Sequence, residues 1–240
     1  LQYKELIEKL NKANKRMIVV GQMNLIYQFD KKYIKPLSNN FVWLTEHLGN
    51  QTTPHIPIKN FDVAVSAMDE IRQEQMAPDL LITYGGHIVS KQIKKYLRNH
   101  PPKEHWHIAS DGKIADLFGC LTTVIEMDPF EFLEKIAFLL DNKPTNYPLM
   151  WENWCKIIPE PNLPYSQISV TGDLIKALPI PCSLHLANSS TVRYAQLFAL
   201  PKEVEVCCNR GVNGIEGSLS SAIGYAAAST QTNFVIIGDL

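Results

Sequence analysis

The 240-residue sequence has no run of about 20 apolar residues of the kind a membrane-crossing helix needs, and no excess of charge of either sign. Lysine and arginine number 23 against 24 acidic residues, giving a formal net charge of -1 with the two signs interspersed. That balance argues against a nucleic-acid or membrane-surface footprint and leaves room only for local basic clusters that hold small anions. Cysteine is scarce and unpatterned. The five residues, Cys120, Cys155, Cys182, Cys207 and Cys208, are odd in number and contain no CxxC pair. This argues against a disulfide framework or zinc ribbon, so a reducing, cytoplasmic setting is expected. Internal repeats and low-complexity tracts are also missing. The first residue is Leu1 rather than Met, and positions 1–16 carry an amphipathic helix pattern instead of a signal peptide. The last residue, Leu240, follows a buried-strand pattern that a covering helix ordinarily succeeds. The sequence is therefore expected to be a piece of a longer protein.

What is present is an alternation of apolar strands and amphipathic helices. Strand patterns occur at Met17–Val20, Phe41–Leu44, Leu80–Tyr84, Trp106–Ser110 and Leu121–Ile125. Helix patterns fall at Val63–Met76, Lys91–Leu97 and Pro129–Leu140, the last announced by Asp128-Pro129 at its start. A polar, proline-bearing boundary lies near 141–148 and a second connector near 159–164. Beyond them the alternation restarts with a helix near Ile168–Leu178, a strand at Ser183–Ala187 and a helix from Thr191. The expected class is α/β in two units. A Rossmann-like parallel-sheet domain spans 1–145, with no dinucleotide expected because Gly21-Gln22-Met23-Asn24 lacks the GxGxxG turn. A second, truncated α/β unit spans 146–240.

The second unit carries the chemistry. Strand Val204–Cys208 runs into NRGVNGIEG, Asn209–Gly217, then a small-residue helix and FVIIGDL, Phe234–Leu240. Glycines spaced three apart permit a tight turn, and the same turn can feed backbone N–H groups at a helix start to an anion. A second loop, Ala187-Asn188-Ser189-Ser190, and the pair Gly238-Asp239 also follow strands, so all three fall at strand carboxyl ends, where open α/β sheets bind ligands. Asp239 ending a buried strand offers a hard oxygen to Mg2+. Arg193, four residues after Ser189, and Arg210, directly after a strand, suit a carboxylate or phosphate. Lys91, after the glycine turn Gly85-Gly86, is a weaker candidate of the same type. His100, His105 and His107 lack an acidic or cysteine partner in a metal spacing, and the Cys207-Cys208 pair faces opposite sides of a strand with no base at hand.

At these residues the chain resembles thiamine-diphosphate-dependent enzymes, and within them the synthases of menaquinone (vitamin K2) formation. The resemblance rests on an NSxxVR-like segment, Asn188–Arg193, an SNRGxxGIDG-like segment written here CNRGVNGIEG, Cys208–Gly217, and GDL, Gly238–Leu240, in place of the commoner GDG. It spans essentially the whole chain, as a central domain followed by the opening of the diphosphate-binding domain. Glu216 stands where the family has Asp, and Asn213 where it has a smaller residue.

The resemblance implies a transferase that uses thiamine diphosphate and Mg2+ (or Mn2+). It would decarboxylate 2-oxoglutarate, add the succinyl unit to isochorismate and release CO2. It further implies Asp239 as metal ligand, and Asn188, Asn213, Gly214, Ile215, Gly238 and Asp239 as cofactor contacts. Lys91, Ser189, Arg193 and Arg210 would bind the substrates. The cofactor-activating Glu belongs to a pyrimidine-binding domain that this sequence does not contain, so no catalytic residue is assigned here and the chain alone is expected to be inactive. The full-length protein would be a homodimer or homotetramer. Two other readings stay open on sequence: an acetolactate-synthase-like carboligase or decarboxylase, which as a pyruvate enzyme would not need both arginines, and a non-catalytic α/β module with a ligand near Gly21 and Gly85.

Overall fold

The structure, a computed structural model, describes residues 2–24, 30–50, 57–58, 61–140, 145–159, 162–201 and 203–238. The elements in chain order are α1 (Gln2–Lys12), β1 (Arg16–Val20), α2 (Lys31–Asn40), β2 (Val42–Thr45), β3 (Pro57–Ile58), α3 (Phe61–Ser66), α4 (Glu70–Gln75) and β4 (Leu80–Tyr84). Next come α5 (Lys91–Asn99), β5 (Glu104–Ile108), β6 (Thr123–Ile125), α6 (Pro129–Leu139), α7 (Tyr147–Ile157) and α8 (Gln167–Lys176). Then follow β7 (Cys182–Leu186), α9 (Ser190–Ala195), β8 (Val204–Cys207), α10 (Ser218–Ala228) and β9 (Thr232–Ile236). A short 3-10 turn, His47–Gly49, follows β2.

The first sheet has the order β3-β2-β1-β4-β5-β6, and its strands pair in parallel. That is the strand order of a doubly wound, Rossmann-like sheet. Period-two alternation divides its core between the two faces. Ile18, Val20, Ile82 and Tyr84 point to the side of Leu10, Leu37 and Leu133, while Met17, Val19 and Leu81 point to the side of Ile93, Leu97 and Trp151. Both faces are covered, which is why β1 and β4 read as unbroken apolar runs buried along their length.

Side-chain caps set the helix starts. Asp128 accepts from the N–H groups of Phe130 and Glu131 at 2.9 and 3.0 Å, with Pro129 at the first helical position. The helix expected over Val63–Met76 is instead two helices, α3 and α4. Asp69 takes the Arg72 N–H at 2.8 Å and restarts the helix, while Met68 turns into the core. Helix α7 sets Tyr147 and Trp151 into the apolar cluster on one face of the first sheet.

The second sheet, β8-β7-β9, is also parallel. Its core, formed by Ile175, Leu184, Leu186, Val192, Val204 and Val206, also takes in Leu48 and Val89 from loops of the first unit. The seam is reinforced by polar bonds. Asn50 pairs with the backbone of Val206 through donor and acceptor both, and Gln22 donates to the Cys208 carbonyl at 2.9 Å. The His47 N–H donates to Gln196 Oε1 at 3.1 Å, and its ring Nε2 lies 2.9 Å from the carbonyls of Ala195 and Phe198.

Candidate functional site

The carboxyl ends of the second sheet converge. β7 leads into Ala187-Asn188-Ser189, β8 into Cys208–Gly217 and β9 into Ile237-Gly238. The chain leaves the middle strand β7 for β8, then crosses back over β7 to β9. With right-handed crossovers that reversal makes a topological switch point, and a crevice opens beside it.

Asn188 organises this edge. Its buried side chain donates to the carbonyls of Asn209 and Gly214 at 2.6 and 2.5 Å, and its Oδ1 accepts from Arg210 Nη1 at 2.7 Å. One amide therefore pins the start and the middle of the glycine-rich loop and orients the arginine within it. Ser189 carries φ 71 and ψ -121 as the residue before α9, a region that side-chain-bearing residues rarely occupy and that costs about 1–3 kcal/mol. Asn188, Ser189, Ile215 and Gly238 line one cavity of about 530 Å3, together with the Ser190 and Thr191 hydroxyls and the apolar Leu174 and Ile236.

The cations are placed differently. Arg210 is buried, and its Nε has no hydrogen-bond partner among the described residues. Lys91 and Arg193 line a separate cavity of about 180 Å3 at the seam, with Asp62, Ser90 and Gln196. Gly214 and Asn213 sit in an exposed stretch of the loop, Asn213 with φ 60. Asp239 lies outside the described residues.

Sequence reasoning missed the buried carboxylate that holds the turn leading to Lys91. Glu46 is buried at the end of β2, and its carboxylate accepts from the N–H groups of Val89 and Ser90 at 2.7 and 2.5 Å. Burial pushes its carboxyl up to about 7 against the pull of those two bonds; Asp62 adds to the rise and Lys94 opposes it. The Ser90 hydroxyl donates to Asp62 and also accepts from the Ile93 N–H, capping α5 at the residue before Lys91. Burial lowers the Lys94 ammonium, Glu46 raises it, and Arg210, Arg98 and Arg193 lower it further. Glu46, Asp62 and Lys94 lie in separate elements and share no motif, so only the fold shows them together.

Other residues singled out from the sequence have other surroundings. His105 Nε2 and His107 Nδ1 both bond the Thr83 hydroxyl, at 2.9 and 3.0 Å. Burial holds the His105 imidazole down at about 4. Burial also raises the Cys207 and Cys208 thiols to about 11, far from the range of a reactive thiolate. At Gly21 a Cβ would meet the Gly86 carbonyl oxygen at 2.1 Å, and Gly86 N–H donates to the Gln22 carbonyl at 2.8 Å. The switch point of the first sheet is thus closed by backbone packed on backbone.

Against known families, the model described as the middle domain of thiamine pyrophosphate matches residues 3–158, which span the six-stranded sheet and α7. The chain belongs to the thiamine pyrophosphate enzymes. Curated relatives include the 2-succinyl-5-enolpyruvyl-6-hydroxy-3-cyclohexene-1-carboxylate synthase of Phocaeicola vulgatus, 80% identical over 238 residues, covering 99% of this chain and 43% of the relative. The enzyme of the same name from Bacteroides fragilis is 68% identical over 239 residues, covering 99% and 43%, and that from Flavobacterium psychrophilum is 34% identical, covering 98% and 44%. The chain spans less than half the length of these relatives. Among solved structures, one described as a thiamin diphosphate-dependent enzyme from Mycobacterium smegmatis superposes with a TM-score of 0.56 at 14% identity, covering 99% of this chain and 47% of the other. That likeness extends the shared fold across both units of this thiamine pyrophosphate enzyme chain. Among the described residues, no helix is long and apolar enough to cross a membrane.

Proposed function

We propose that this chain is part of a cytoplasmic synthase of menaquinone biosynthesis that decarboxylates 2-oxoglutarate and joins the succinyl unit to isochorismate. The observation that carries the reading is the Asn188 clasp, which holds a buried arginine and the glycine-rich loop together at a sheet switch point. Thiamine diphosphate fits the 530 Å3 cavity by the chemistry of its lining. The hydroxyls of Ser189, Ser190 and Thr191 beside the start of α9 suit an anion, and Ile215, Leu174 and Ile236 suit rings. When bound, this cofactor supplies the electron sink for decarboxylation and carbon–carbon bond formation. Asn188, Asn213, Gly214, Ile215 and Gly238 would hold it, and Asp239 would ligate Mg2+ or Mn2+.

The residues of this chain would bind and orient. Both substrates are dicarboxylates, and Lys91, Arg193 and Arg210 supply three cations around one seam. Ser189 is held in a strained turn at the crevice mouth, where its hydroxyl adds a donor without reorganising. Residues 1–145 act as the central domain and 146–240 open the diphosphate-binding domain, with α7 as the bridge that starts the second segment and packs on the first sheet. The working enzyme is a homodimer or homotetramer, and the 240-residue chain alone does not turn over.

The test is CO2 release from 2-oxoglutarate with thiamine diphosphate and Mg2+, with and without isochorismate, in the full-length protein. Isochorismate-dependent turnover that falls about 100-fold or more in Arg210→Ala supports the reading, a loss typical of removing one partner of a buried charged contact. Turnover of pyruvate but not 2-oxoglutarate moves the protein to the acetolactate-synthase side and cancels the substrate assignments.

A further inference from the structure

The cavity of about 180 Å3 at the seam contains more than its two cations. Gln196, at the end of α9, is 7% exposed and lines the same space as Lys91 and Arg193. Its amide orientation is fixed from the far side. The His47 backbone N–H is a donor and lies 3.1 Å from the side chain, so Oε1 must be the atom that meets it. The Nε2 donor is then left buried without an acceptor among the described residues. Leaving a buried amide donor without a partner is costly, so an acceptor is expected there when the site is occupied. The one acidic side chain in the lining, Asp62, already accepts from the Ser90 hydroxyl.

We propose that Gln196 is a specificity-determining ligand that donates from Nε2 to a substrate carboxylate seated between Lys91 and Arg193. The inference rests on the proposed function, since it takes the two cations as substrate contacts. It adds a neutral donor, held rigid by the first unit of the chain, to a seat otherwise made of flexible charges. Such a donor accepts a carboxylate and leaves an unpaired buried group when the substrate lacks one, which is how polar pockets discriminate strongly. Either 2-oxoglutarate or isochorismate can supply the carboxylate, and separate Michaelis constants distinguish them.

Gln196→Glu is nearly isosteric and keeps the acceptor for His47 while replacing the Nε2 donor with a carboxylate oxygen. In the full-length enzyme it is expected to raise KM at least 10-fold for one of the two substrates, with a smaller change in kcat. Gln196→Met, which removes the donor without adding charge and also takes the acceptor from the His47 N–H, should raise the same KM by less and lower the thermal midpoint. Lys91→Ala and Arg193→Ala serve as the reference. If they raise KM for that substrate and Gln196→Glu leaves both constants unaltered, Gln196 is not a ligand and the proposal fails alone. If neither cation affects either KM, the substrate reading of the seam fails and the proposal falls with it.

Discussion

Asn50 forms a two-way bond with the main chain of Val206: its Nδ2 donates to the Val206 carbonyl at 3.0 Å and its Oδ1 accepts the Val206 N–H at 2.9 Å. The side chain of a loop in the first unit thus occupies the place of a neighbouring strand beside β8. Asn50 itself adopts φ 49 and ψ 34, a left-handed conformation that asparagine tolerates better than most residues. Asn50→Ala removes both bonds, together with a third from Nδ2 to the Met23 carbonyl at 2.8 Å, and strands the two buried Val206 backbone groups, at about 2–4 kcal/mol. Chemical denaturation is expected to show that loss, whereas a mutant within about 0.5 kcal/mol of wild type would mean that water replaces the pair.

Ser189 gives a prediction of the opposite sign. Glycine has no penalty at φ 71, ψ -121, so Ser189→Gly should stabilise the fold by about 1 kcal/mol after the extra freedom of the unfolded chain is deducted. The same variant should weaken substrate use in the full-length enzyme, because the hydroxyl at the crevice is gone. A rise in the urea midpoint together with a rise in KM is the expected pair. A fall in stability would show that the strain is repaid locally by contacts of the hydroxyl.

Glu46 should make stability fall as pH rises. Its folded pKa, about 7, is above the ordinary 4.5, so the folded state binds the proton more tightly. The stabilising protonation is fully present below pH about 4.5 and is lost as pH passes through about 7, with a ceiling of roughly 3 kcal/mol. The groups facing it are Asp62 and Lys94. Glu46→Gln does not titrate, and its stability curve between pH 5 and 8 should be flatter than wild type. Parallel curves would place the proton elsewhere.

His105 acts on the acid side. Burial depresses its folded pKa to about 4, so the neutral ring is stabilising above its ordinary 6.5, and that contribution disappears as pH falls through about 4. Substituting His105→Gln removes the titration while keeping a polar partner for Thr83. The midpoint of acid unfolding should move to lower pH in this variant; no movement would mean that protonation of His105 does not drive acid unfolding.

Strands β1 and β4 were legible because both faces of the first sheet are covered, which leaves apolar runs with little alternation to mislead. Helix α6 was legible because Asp128-Pro129 is a local start signal. Helix α2 was not, since Pro36 interrupts its pattern and only Tyr33, Leu37 and Asn40 are buried. Helix α7 was hidden by the proline-bearing boundary from which it begins. Around the site, Asn188, Ser189, Ile215 and Gly238 could be grouped from three loops because each follows a strand. Gln196 could not be grouped with Lys91, because the two share a cavity only through the packing of one unit on the other, and Glu46 could not, because it reaches the turn before Lys91 only through the folding of the first sheet; no local spacing encodes either.

Beside the apolar packing of Leu48 and Val89, the polar bonds of the seam run mostly from side chains of the first unit to the main chain of the second. Gln22 meets the Cys208 carbonyl, His47 the carbonyls of Ala195 and Phe198, and Asn50 both backbone atoms of Val206. Main-chain atoms persist through substitution. The second unit can therefore drift at 195, 198, 206 and 208, within the limits of its own core, without a matching change at 22, 47 or 50. Covariation among homologues, which ordinarily reports contact, should be weak across these pairs although they touch. The His47–Gln196 bond runs the other way, from a main-chain N–H of the first unit to a side-chain oxygen of the second, so position 196 should be held in the second unit as 22, 47 and 50 are in the first.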